Sequence, residues 1–120
     1  MFRYRPTAVV LIGALTTVGA HAQDGCTPIQ FPRGATSATV KGMAPSDTPF
    51  ACYTFAAGRG QTATIRLTQA NEDTAFNIGG IVDSRTNYSF RTEARTYGID
   101  VYQIPRDRRD APFAMEVSIK

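Results

Sequence analysis

Between turn signals the chain alternates apolar and polar residues with period two, the pattern of strands that bury one face. Tyr53, Phe55 and Ala57 share one parity. Ala63, Ile65 and Leu67 share another, with Thr62, Thr64, Arg66 and Thr68 facing out. Tyr97, Ile99 and Val101 follow, and then Phe113, Met115, Val117 and Ile119. No stretch of about a dozen residues carries an apolar stripe of helical period. Turn residues punctuate these runs at Pro32–Gly34, Gly42–Pro49, Gly58–Gly60, Asn71–Asp73, Asp83–Asn87 and Pro105–Asp110. The pattern predicts an all-β chain, a compact antiparallel β-sandwich of about seven to eight short strands. Gly42–Pro49 is expected to be its longest loop. Gly58-Arg59-Gly60 reads as a hairpin turn, and Pro105–Asp110 as the cap of a hairpin between strands Thr96–Ile104 and Ala111–Ile119.

The N-terminus has a different character. Arg3 and Arg5 precede an apolar run, Ala8 to Ala14 extended through Leu15 and Val18, and Ala20-His21-Ala22 supplies a small-x-small cleavage site. This is the layout of a secretory signal peptide, residues 1–22. The run is shorter than the roughly 20 apolar residues that span a bilayer, and Gly13, Thr16, Thr17 and Gly19 interrupt it, so a membrane anchor is not expected. Gln23-Asp24-Gly25 before Cys26 lack the small and apolar residues that lipid attachment needs. Cleavage after Ala22 leaves residues 23–120 as a single domain, 98 of the 120 residues, with a small core.

Export changes two further readings. Losing Arg3 and Arg5 takes the net charge from +3 to +1, so the basic pI of the precursor gives no support for nucleic-acid binding. The 2 Cys, in an oxidising compartment, are expected to form one disulfide, Cys26–Cys52. Closing that loop restricts the unfolded chain by roughly 3 kcal/mol. A redox pair would call for Cys-x-x-Cys spacing, which is absent.

The single His, His21, leaves with the signal peptide, and the mature chain has no imidazole for a triad, a general base or a zinc site. Lys41 lies in no Ser-x-x-Lys motif. Glu72-Asp73 and Asp107/Asp110 are the carboxylate clusters, both in turns where acids commonly bond nearby backbone. Neither catalysis nor a cofactor is called for. Asn87-Tyr88-Ser89 fits a glycosylation sequon, a match that short motifs make by chance. Charge concentrates only at Arg106-Asp107-Arg108-Arg109-Asp110. Read plainly this is a solvated turn with weak internal ion pairs. Read more sharply it is a guanidinium cluster offered to an acidic partner, since Arg binds carboxylates through two parallel hydrogen bonds.

Three blocks resemble the periplasmic lysozyme inhibitors of bacteria, above all the inhibitor of goose-type lysozyme and its relative against invertebrate-type lysozyme. The first is Phe31, Arg33, Gly34, Ser37, Ala38 and Gly42. The second is Tyr53-Thr54-Phe55, Ala57 and Gly60-Gln61, with Asp73 and Phe76 beyond. The third is Tyr97, Ile99, Val101, Gln103, Arg106 and Arg109, closing with Val117, Ile119 and Lys120. The resemblance implies a β-sandwich and a periplasmic, non-enzymatic inhibitor that plugs the peptidoglycan-cleaving cleft with an Arg-bearing loop, Arg106, Arg108 and Arg109. Arg109 matches the family's second basic position. Arg106 matches the first only after a one-residue shift, because Pro105 takes the direct equivalent. Family members often carry a Tyr in the turn before the Tyr-Thr-Phe strand, whereas Met43 to Ala51 here has none. Phe50, with Met43, is the candidate second contact, and Phe50 reads equally well as a packing residue. The alternative is a carbohydrate- or envelope-binding sandwich without inhibitory action, which should present aromatic platforms. The chain has no Trp, and most Tyr and Phe fall at inward parity.

Overall fold

The computed structural model describes residues 25–47, 50–104 and 109–120. The signal-peptide region lies outside the described residues, as do Arg106 and Arg108. The described chain forms nine strands: β1 Thr27–Pro28, β2 Ser37–Ala44, β3 Ala51–Ala57, β4 Thr62–Gln69, β5 Thr74–Ile78, β6 Val82–Arg85, β7 Asn87–Arg91, β8 Arg95–Gln103 and β9 Ala111–Ile119. They make two sheets, one of four strands in the order β2-β9-β4-β7 and one of five in the order β1-β3-β8-β5-β6. Pairing is antiparallel except where the two residues of β1 run parallel to β3, Thr27 beside Tyr53 and Pro28 beside Thr54. That short extra strand and the separate β6 bring the number above the seven or eight expected. Both are too short for an alternation pattern to reveal.

The register puts the apolar parities on facing sheets. In the five-stranded sheet Phe55 lies beside Tyr97, Tyr53 beside Ile99, and Val101 between Ala51 and Phe76. In the other, Gly42 lies beside Phe113, and Met115 sits between Val40 and Leu67. The inward faces meet in one core in which Ile65, Phe76, Ile78, Ile99, Met115 and Val117 are wholly buried. Tyr97 stacks on Phe55 at 5.4 Å within its sheet and meets Phe90 of the opposite sheet edge-on at 5.1 Å. Its hydroxyl is not left unpaired in the core, because it accepts the Glu93 N–H at 2.8 Å.

Two connections expected to be hairpins are crossovers. β8 pairs with β3 and β5, and β9 with β2 and β4, so the chain changes sheets between Gln103 and Ala111. Gly58–Gln61 does the same between β3 and β4. Alternation tells which face of a strand is buried and says nothing about which strand lies beside it. A link of a few residues spans the roughly 10 Å between stacked sheets as readily as it closes a hairpin. Between β6 and β7 the single residue Thr86 suffices, the strand bending from sheet to sheet. Only β5 and β6, among consecutive described strands, pair with each other. The expected loop over Gly42–Pro49 is also shorter, since Gly42, Met43 and Ala44 complete β2. Gly42 belongs in a strand here because its missing side chain makes room for Tyr53 from the opposite sheet.

The Cys26–Cys52 disulfide is present, tying the segment before β1 to β3 with Cα atoms 4.5 Å apart. No helix among the described residues is long and apolar enough to cross a membrane.

Candidate functional site

Three connections meet at one end of the sandwich: β2–β3, β4–β5 and β8–β9. The registers bring them together, since Ala44 faces Ala111, Gln69 faces Ala114 and Thr74 faces Gln103. Gln103 continues the inward parity of Tyr97, Ile99 and Val101, so it places an amide where the core would otherwise end, and it is only 2% exposed. Its Nε2 donates to the Ala44 carbonyl at 3.0 Å and to the Arg109 carbonyl at 2.9 Å. Its Oε1 accepts from Asn71 Nδ2 at 3.4 Å. Asn71 in turn shapes its own turn, its Oδ1 accepting from the Asp73 N–H at 3.0 Å and the Thr74 hydroxyl at 2.7 Å.

Two backbone donors close the arrangement. The Ile104 N–H donates to the Asp73 carbonyl at 2.6 Å, and the Ser46 N–H to Asp110 Oδ1 at 3.0 Å. The β8–β9 connection is therefore fastened to its neighbours at both of its described ends.

Of the predicted contact residues, Arg109 is exposed at this end and lines an open groove of about 350 Å³. Gln69, Ala70 and Asn71 form the other wall, with Asp110 and Pro112 on the Arg109 side. No ion-pair partner holds Arg109 among the described residues. Met43 lies beside Pro112 in register, on the outward face of β2 rather than in a turn. It is 50% exposed, and Ile104, at the start of the β8–β9 connection, is 48% exposed. These are the two large apolar side chains left open among the described residues, and both lie at the Arg109 end.

Phe50 is half-buried, its ring 5.0 Å from that of Tyr102 on the outer face of the five-stranded sheet. Tyr102 is itself fixed, its hydroxyl donating to Asn77 Oδ1 at 2.6 Å. Asp47, Glu72, Asp73 and Asp110 share the three connections with Arg109, so this end is not uniformly basic. Arg59, at the opposite end, lies 3.9 Å from Glu93. No group of three or more metal-ligating side chains occurs among the described residues.

Nothing in the sequence singles out Ile104, and Gln103 stands in the family-like block without a role of its own. The parity of β8 carried the signal for Gln103: a polar residue at an inward position, directly before the charged segment, has to bond to something.

No protein-family model matches the chain, and no curated protein matches it by sequence. Three-dimensional comparison gives clear neighbours. Aeromonas hydrophila PliG, a periplasmic lysozyme inhibitor of g-type lysozyme, superposes with a TM-score of 0.60 and 27% identity, over 79% of this chain and 96% of that one. The fold is that of PliG. Salmonella Typhimurium PliG aligns with a TM-score of 0.61 at 21% identity, over 78% of this chain and 96% of that one. A mutant of PliG from Escherichia coli aligns at 0.58 and 21%, over the same shares of the two chains. The PliG structures are covered almost whole, so this chain has the sandwich of PliG rather than a part of it.

Proposed function

We propose that this chain is a periplasmic inhibitor of lysozyme, goose-type in the first instance, and not an enzyme. One observation carries the reading: a PliG sandwich presents Arg109 with no ion-pair partner among the described residues, at the same end as the two exposed apolar side chains, Met43 and Ile104. Protein interfaces draw their affinity from a few Arg, aromatic and apolar anchors at a desolvated centre. Lysozyme clefts carry a catalytic carboxyl group, and a guanidinium can meet a carboxylate through two parallel hydrogen bonds.

In this reading Arg109 enters the cleft together with Arg106. Arg108 supports the loop or faces solvent, Met43 and Ile104 cover the rim, and Phe50 holds the β2–β3 connection against Tyr102. Residues 1–22 act as a cleaved signal, and the disulfide suits the oxidising compartment that export leads to. The sugar-binding alternative is less well supported, because no large aromatic side chain is exposed among the described residues.

Truncating one member of a desolvated charge pair usually costs about 2 to 5 kcal/mol, since its partner charge is left buried. Arg109→Ala should weaken inhibition ~30-fold or more, chiefly through faster dissociation. Arg109→Lys should recover only part of the loss, because it keeps the charge without the planar fork. Arg59→Ala and Lys41→Ala should match the parent. A folded Arg109→Ala protein that inhibits as well as the parent would reduce the loop to a solvated turn.

A further inference from the structure

We infer that Gln103 is a positioning residue that presents Arg109 to the partner, a role that rests on the inhibitor reading above. Arg109 is exposed, and no ion pair holds its side chain among the described residues, so its placement comes chiefly from its backbone. The one described hydrogen bond to that backbone comes from Gln103, whose amide holds the Arg109 carbonyl at 2.9 Å and the Ala44 carbonyl at 3.0 Å. The same side chain reaches Asn71 at 3.4 Å. One amide thus joins the Arg109 segment to the end of β2, next to Met43, and to the opposite wall of the groove. It does so from a site 2% exposed, where water does not compete for the bonds.

Carboxamide chemistry is required there. Two carbonyl oxygens need two N–H donors on one atom, while Asn71 Nδ2 needs an acceptor on the other. A buried anchor of this kind lets a loop enter a cleft already shaped, which lowers the ordering cost of binding.

Gln103→Glu gives the sharpest test, since it keeps the shape and removes both donors. The introduced carboxylate would face two carbonyl oxygens in a buried site, which raises its pKa. Once protonated it regains one donor. The charged groups on the surrounding connections are Arg109 and Asp110, Glu72 and Asp73, and Asp47, with Arg106, Asp107 and Arg108 outside the described residues. These are common to parent and variant. The quantity read is therefore the ratio of the two dissociation constants for goose-type lysozyme at each pH, in which the titration of the enzyme also cancels. Amide hydrogen exchange at Ile104 and Ser46, the two donors that fasten the connection, is followed in parallel in the absence of lysozyme.

The expected result is a variant with native strand content that binds about tenfold more weakly at pH 8, a smaller loss than truncating Arg109 because the guanidinium is displaced and not removed. The ratio should return toward one at pH 5, and Ile104 and Ser46 should exchange faster at the higher pH only. Gln103→Leu, of similar volume, should bind weakly at every pH. A folded Gln103→Glu protein that binds like the parent at pH 8 overturns the inference. So does a loss of binding that only follows the fraction unfolded. If the parent binds no lysozyme, the inhibitor reading fails by itself, and unchanged exchange at Ile104 and Ser46 would then dispose of the positioning role too.

Discussion

Gly42 stands in the middle of a strand where glycine is ordinarily a weakness, and the reason lies on the opposite sheet. A Cβ added at Gly42 would come within 2.6 Å of Tyr53 Oη and 3.3 Å of the Phe113 ring. Tyr53 reaches across from β3 into the recess, and its ring is held edge-on to Phe113 at 6.2 Å. Neither aromatic swings away freely, so Gly42→Ala has to push the sheets apart or tilt a ring. Overpacking of this size costs about 1 to 3 kcal/mol. That cost is offset in part by the roughly 0.5 to 1 kcal/mol by which Ala is easier than Gly to order in a strand. The net expectation is a loss of about 1 to 2 kcal/mol in urea unfolding. Tyr53→Phe removes the atom that clashes. Alone it should change stability by about 1 kcal/mol or less. Combined with Gly42→Ala it should recover most of the loss, a favourable coupling of about 1 kcal/mol between residues in contact. A neutral Gly42→Ala, or strictly additive effects, would show that Tyr53 does not fill the Gly42 recess.

Other consequences are more local. Reducing Cys26–Cys52, whose sequence separation is 26, should lower the unfolding free energy by about 3 to 4 kcal/mol while strand content at room temperature persists, checked by circular dichroism and a denaturant midpoint with and without reductant. Thr92 is 1% exposed, donates to the Gly58 carbonyl at 2.6 Å and accepts from the Gln61 N–H at 3.2 Å. Thr92→Val keeps the shape but orphans both groups, so it should cost about 1 to 3 kcal/mol by thermal or urea unfolding. Burial on the outer face of the five-stranded sheet pushes the Asp100 carboxyl up from its ordinary value. The folded chain then holds that proton more tightly than the unfolded one, so stability falls as pH rises from the ordinary carboxylate range through the raised value. Asp100→Asn should flatten that part of the stability–pH curve and raise the melting temperature at neutral pH, and a curve unchanged in slope would contradict the assignment.

What the sequence revealed and what it hid follow from the range of each signal. Alternation is local, so the inward sets Tyr97-Ile99-Val101 and Phe113-Met115-Val117 were legible directly. Strand adjacency is not local. The two strongest strands, joined by the charged segment, looked like a hairpin, yet they lie in different sheets. Gly42 reads as a turn in the sequence because its cause is Tyr53 from the other sheet, eleven positions along the chain. At the candidate site, Arg109 announced itself by charge and by family resemblance. Gln103 was hidden because its partners are backbone carbonyls, at Ala44 and Arg109, that have no signature in the sequence. Phe50 carried two readings that composition could not separate, and its ring contact with Tyr102 shows how it packs.

Inhibition itself is read by a peptidoglycan lysis assay with goose-type, invertebrate-type and chicken-type lysozymes, each with and without the purified chain from Gln23 to Lys120. The expected result is a stoichiometric, saturable block of the goose-type enzyme, weaker or absent effects on the other two, and loss of the block in Arg109→Ala. Undiminished lysis by all three enzymes at an excess of folded, disulfide-bonded protein would contradict it, and would leave a PliG sandwich that does not inhibit lysozyme.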